Sequence, residues 1–151
     1  MGRPRKTESV LSSFPALATS VPEARNMVAS LAARYGAGWE DLERVRLVVS
    51  EAVTNSIVHA YPEPTGNVHV TAAVIDDELT IVVADDGCGL GAAEPSPGLG
   101  LGLGLVANTC DAFSIVSRPY GGTQVEMRIV LSGRPAQRVR SRARPADALS
   151  F

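Results

Sequence analysis

Lysine is almost missing from this chain: Lys6 is the only one, beside thirteen arginines. A P-loop needs the lysine of GxxxxGK[ST] on its phosphates, and a eukaryotic-type kinase needs a lysine on an interior strand. A single lysine at position six excludes both. Cysteine is nearly as scarce. Cys88 and Cys110 lie far apart without CxxC or Cys/His spacing, so neither a thiolate-held metal nor a disulfide framework is indicated. No run approaches the ~20 consecutive apolar residues of a spanning helix. The N-terminus, with Arg3, Arg5 and Lys6 before polar residues, lacks the apolar stretch of a secretory signal. A cytoplasmic protein that makes no membrane contact is expected.

What the chain does have is 151 residues, 45% of them hydrophobic, which suffices for one domain with one core. Its charge is segregated. Residues 1–9 and 133–151 together hold eight basic and two acidic groups, a net +6, whereas residues 10–132 hold six basic and fourteen acidic groups, a net −8. An acidic body argues against a nucleic-acid-binding core. The expected organisation is a flexible N-terminus over 1–8, a folded domain over 9–132, and a disordered Arg-rich tail over 133–151.

Along the domain, residues 9–18 supply Val10, Leu11, Phe14 and Leu17 for a short first strand. A helix follows at Val21-Pro22-Glu23, with Ser20 as its expected cap, apolar residues at helical spacing through Tyr35, and Gly36 and Gly38 ending it. The second helix, expected over 40–60, carries a stripe of Leu42, Val45, Val48, Val49, Ala52, Val53 and Ile57 and stops at Pro62 and Pro64. Two β-rich runs, 68–74 and 79–84, flank the acidic turn Asp76-Asp77-Glu78 and read as a hairpin. A short helix over 101–108 and strands over 113–117 and 123–131 complete the pattern. Helices followed by a meander imply an α+β two-layer sandwich whose mostly antiparallel sheet is covered by helices on one face.

Three segments carry chemistry. Glu51, Asn55 and His59 recur at i, i+4 and i+8, which places them on one helix edge. A glutamate can take a proton from a hydroxyl and an asparagine oxygen suits hydrated Mg²⁺, although an ordinary solvated edge has the same spacing. Asp85-Asp86-Gly87-Cys88-Gly89 follows a strongly apolar strand, so a carboxylate at the strand end faces a pocket while glycines let the backbone pass close to a ligand; a plain Asp-Gly turn is the alternative. An aspartate there accepts from an exocyclic amine, which adenine supplies. Finally, glycines 98, 100, 102 and 104 alternate with leucines. GxGxxG fits no starting glycine, because its third position falls on Leu103, Leu105 or Ala107. Glycines entering a helix still present amides to an anion.

In this order the segments resemble the GHKL (Bergerat-fold) ATPase superfamily. Glu51-Ala52-Val53-Thr54-Asn55 through Tyr61 looks like its N box, Asp85 to Gly89 like the DxGxG of G1, Gly100 to Leu105 like G2, and Gly122-Thr123 like the G3 turn. The stretch Val49 to Asn55 and the preceding Pro22-Glu23-Ala24-Arg25 are most similar to bacterial anti-sigma factor serine-protein kinases. The resemblance implies a histidine-kinase-like ATP-binding sandwich, with ATP and Mg²⁺ as cofactors. Glu51 would be the general base toward a substrate serine and Asn55 the Mg²⁺ ligand. Asp85 would read the adenine amine, with Gly87 and Gly89 beside the base, Gly100, Gly102 and Gly104 around the phosphates, and Thr123 at the adenine end. Arg25 would meet partners, namely a sigma factor and a STAS-type anti-anti-sigma protein, and a homodimer is left open. Residues 90–98 depart from the pattern in carrying Pro95, Pro97 and no basic residue for a γ-phosphate. A non-catalytic, nucleotide-dependent interaction switch is therefore the alternative. A histidine-kinase catalytic domain is disfavoured, since the 20-odd residues before Pro22 are too few for a dimerisation helix pair.

Overall fold

In the computed structural model, which describes residues 7–60, 66–87, 99–119 and 121–133, alternation in sequence becomes alternation in burial. Strand β2 (Asn67–Ile75) sends Val68, Val70, Ala72 and Val74 inward, all fully buried, and β3 (Glu78–Asp85) adds Leu79, Ile81 and Val83. The two form the expected hairpin, with Val70 opposite Val83 and Ala72 opposite Ile81. The first strand, β1 (Thr7–Pro15), begins two residues earlier and ends three earlier than expected, and pairs antiparallel with β2 along its whole length.

Helix α1 (Ser20–Arg34) buries Ala24, Val28, Leu31 and Ala32, and α2 (Trp39–Ala60) buries Val45, Val48, Val49, Ala52 and Val53. Each such valine or leucine contributes about 1.5–3 kcal/mol through the water it sheds. The two helices pack on each other and on the inner sheet face. Ser20 is not the cap of α1. Thr19 occupies that position without a side-chain cap bond, and the Ser20 hydroxyl donates to the Pro15 carbonyl at 2.6 Å, tying the helix start to the end of β1. Helix α3 (Leu99–Thr109) starts two residues earlier than expected and packs against α2.

The sheet is fully antiparallel, with strand order β1-β2-β3-β5-β4, where β4 is Ala112–Ser117 and β5 is Thr123–Val130. This corrects the expected meander: β5 is inserted between β3 and β4. Composition explains the exchange. β5 carries the fully hidden Met127 and Ile129 beside Val125, whereas the six-residue β4 leaves Val116 half-exposed and takes the edge. No helix among the described residues is long and apolar enough to cross a membrane.

A buried carboxylate closes the domain at the far end from β3's C-terminus. Asp41, fully hidden near the start of α2, accepts from the amides of Gly38 (3.1 Å) and Ser132 (2.9 Å) and from the Ser132 hydroxyl (3.2 Å). Gly133 lies so close to Gly36 that a Cβ on it would overlap the Gly36 carbonyl. The chain is thus held in place through Gly133, the residue at which the tail was expected to begin.

Candidate functional site

The strand pairing of β3 ends at Asp85, and there the sheet places a carboxylate that is 3% exposed. Its Oδ1 accepts from the amides of Gly87 (3.1 Å) and Thr123 (3.2 Å), and the Ser56 hydroxyl of α2 bonds the same carboxyl. Burial pushes the Asp85 carboxyl above the ordinary aspartate value, opposed by those three hydrogen bonds and assisted by the charge of Asp86. A carboxylate kept there at neutral pH has room to gain from a further donor. Thr123 reaches it because Gly122, at φ +90°, lies directly on the Asp85 backbone, where a Cβ would overlap the Asp85 carbonyl oxygen. The close approach explains why glycine stands immediately before Thr123.

Glu51 and Asn55 lie one turn apart on α2, both partly exposed, as their spacing predicts. Glu51 faces α3: a Cβ on Gly102 would stand 3.1 Å from Glu51 Oε2. The alternating glycines therefore bring the α3 backbone against the carboxylate of α2, and Gly100 and Gly102 fall within the first four residues of α3, whose amides have no intrahelical acceptor. Gly104 is exposed, with open space around it. Gly89 and the segment 90–98 lie outside the described residues. Ser56, next to Asn55, links the two halves of the site by bonding Asp85.

Arg25 is separate from this cluster. Because α1 begins at Ser20, Arg25 sits in its second turn, not in an exposed first turn as expected, and is half-buried. It lines a groove of about 440 Å³ between α1 and α2 with Asn26, Glu43, Arg46, Leu47 and Ser50. Arg46 pairs with Glu43 at 3.2 Å. Ser50, the residue before Glu51, is part of the same lining.

Sequence reasoning missed Ser56, Asp86, His69 and Arg118. A serine continuing the buried stripe of α2 was a usable signal for the first. The others join through contacts across strands: His69 Nε2 meets Asp86 Oδ2 at 2.7 Å and Arg118 Nη1 meets Asp86 Oδ1 at 2.6 Å. The hydrogen bond from His69, with the charge and the hydrogen bond of Arg118, holds the Asp86 carboxyl below its ordinary range. Cys110, half-buried, has its thiol pushed up to about 11 by burial, so it stays protonated at neutral pH.

The family profile of the histidine kinase-like ATPase domain matches residues 14–129. The chain is 34% identical over 127 residues to an anti-sigma F factor of Shouchella clausii, covering 76% of this chain and 87% of that protein. An anti-sigma F factor of Oceanobacillus iheyensis is 35% identical over 131 residues, covering 79% and 90%. The serine-protein kinase RsbW of Bacillus mycoides is 37% identical over 82 residues, covering 54% and 51%. Among solved structures, that of the RsbU and RsbW domains of Rv1364c from Mycobacterium tuberculosis matches with a TM-score of 0.65. Identity there is 20%, over 82% of this chain and 32% of that one, a likeness of fold.

Proposed function

The chain belongs to the histidine kinase-like ATPase domain family, and from that premise we propose that it is an ATP-dependent anti-sigma factor. In this reading it binds a sigma factor and phosphorylates a serine of a STAS-type anti-anti-sigma protein, in the cytoplasm. The observation that carries it is Asp85. A 3%-exposed carboxylate, raised by burial and held at a strand end by backbone amides, suits an adenine amine, which donates, and not the carbonyl that guanine has at that edge.

The described residues fit Mg-ATP. Asp85 accepts from the adenine amine while Thr123 supports the same end, and Gly87 lets the backbone lie along the base. Gly100, Gly102 and Gly104 alternate with leucines and leave their own positions on α3 without a side chain, and the amides of its first turn can face phosphate; at Gly102 a Cβ would already press on Glu51. Asn55 offers its carboxamide oxygen to Mg²⁺. Mg-ATP, when bound, supplies the phosphoryl group and the positive charge that stabilises its transfer. Glu51 would take the proton from the partner's serine hydroxyl as the γ-phosphoryl group passes from ATP to that oxygen and ADP leaves, and the α2–α3 contact holds that carboxylate in place.

The groove between α1 and α2 supports the partner reading. Two arginines, Arg25 and Arg46, stand there beside one glutamate, a lining that suits an acidic segment of a partner protein. A homodimer belongs to the same reading: β1 lies at the sheet edge with Leu11 72% exposed, where a second copy could meet it. The test is calorimetry with Mg-ATP and Mg-GTP, followed by single-turnover transfer from ATP to a cognate STAS-type protein. Equal affinity for the two nucleotides would refute the Asp85 assignment. Tight ATP binding without transfer would identify the interaction switch instead of a kinase.

A further inference from the structure

Beyond Asp85 the chain leaves the sheet, and the strand ladder no longer orients its backbone. Arg118, just past the end of β4, takes over. Its Nη1 donates to the Asp85 carbonyl at 3.0 Å and to Asp86 Oδ1 at 2.6 Å, while its own amide donates to the Gly122 carbonyl at 2.9 Å. The Gly121 amide returns a bond to the Arg118 carbonyl at 3.2 Å, closing the turn that delivers Thr123. The other oxygen of Asp86 is held by His69 Nε2 at 2.7 Å. A carboxylate only accepts, so this nitrogen carries the proton and, in the neutral ring, Nδ1 accepts from the Ser13 hydroxyl, also 2.7 Å away. Ser13, His69, Asp86 and Arg118 therefore brace β1, β2, the end of β3 and the β4–β5 turn against one another. All four lie around the residue whose carboxylate is hidden in the candidate site.

We propose that Arg118, braced by Asp86 and His69, is the positioning residue for adenine selection: it fixes the Asp85 backbone and the Thr123 turn so that the Asp85 carboxylate is aimed at the exocyclic amine. This rests on the reading of Asp85 as the adenine acceptor. Arg118 does not touch the base. It acts by holding two backbone segments whose mutual placement sets the Thr123–Asp85 bond. Both of its side-chain bonds leave from the same nitrogen, so a lysine ammonium, with three donors, can replace part of the function, whereas alanine and glutamine cannot carry the charge.

The experiment compares ATP with purine riboside triphosphate, which has the same sugar and phosphates but no amine. Binding of both is measured by calorimetry for the wild type, Arg118→Ala, Arg118→Gln, Arg118→Lys, Asp85→Asn and the double variant Asp85→Asn/Arg118→Ala. One hydrogen bond to a charged group predicts a wild-type preference for ATP of roughly 10- to 100-fold. Arg118→Ala and Arg118→Gln should lose most of that preference while purine riboside triphosphate binds within about twofold of wild type, Arg118→Lys should keep part of it, and the double variant should match Asp85→Asn. A general loosening would weaken both nucleotides equally and leave the ratio intact, which would overturn the proposal. If Arg118→Ala does not fold, the graded order of lysine over glutamine decides. A wild type without preference would overturn the Asp85 reading and the positioning role with it. A preference retained in the foldable Arg118 variants would overturn the positioning role alone.

Discussion

Replacing Asp85 with asparagine should stabilise the nucleotide-free protein while weakening its hold on ATP. Asparagine keeps an oxygen where the Gly87 and Thr123 amides donate, at 3.1 and 3.2 Å, and nearly the same volume, so packing around the site is retained. What it removes is a charge on a group 3% exposed. Burial already outweighs the three hydrogen bonds to the charged form, because the carboxyl lies above its ordinary value, and Asp86 adds repulsion. In the window from the unfolded value of 3.8 up to the raised folded one, the folded state binds more protons than the unfolded state. Stability attributable to Asp85 therefore falls as pH rises through that window and stays lowered at neutral pH. Relief on the order of 1 kcal/mol, spread over a domain of this size, corresponds to an increase of about 3–5 °C in Tm. Nucleotide binding moves the other way: losing a charge-assisted bond to the amine should weaken ATP by roughly 10- to 100-fold. Thermal unfolding of both proteins from pH 4 to 8, with and without Mg-ATP, checks the pair of effects. The gap in Tm should open as pH rises and close toward acid. A variant less stable than wild type at pH 7, or a gap independent of pH, would refute the account of Asp85 as a buried charge retained for its ligand.

Glu51→Ala should abolish phosphoryl transfer, by ~10²–10⁴ in rate, with ATP affinity changed only a few-fold, whereas Asn55→Ala should lose both; single-turnover transfer beside calorimetry separates them. Gly122→Ala meets the Asp85 carbonyl and a φ of +90° together, so chemical denaturation should show a loss of more than about 2 kcal/mol, with the adenine end of the site disrupted. Arg25→Glu should impair capture of the partner without altering nucleotide affinity or Tm, since Arg25 lines the α1–α2 groove and not the Asp85 cluster; pull-down at wild-type strength would remove it from the interface.

Periodicity was enough to find the elements, and the order of the motifs was enough to find the family. Val45, Val48, Val49, Ala52 and Val53 repeat at the spacing of one helix face, and that face is the buried one. Glu51 and Asn55 share an edge because helix geometry makes them neighbours, whatever surrounds them. Asp85 at the end of an apolar strand, and Gly122 before Thr123, were likewise legible from local pattern. The groove around Arg25 was not, because it exists only once α1 lies against α2. Nor was the central place of β5, since pairing depends on which strand best fills the interior and not on chain order. Asp41 holds Ser132 across 91 residues of sequence, Thr123 reaches Asp85 across 38, and Arg118 reaches Asp86 across 32. In each of these pairs the partners stand far apart in sequence, and only the packed sheet and helices bring them within hydrogen-bond range.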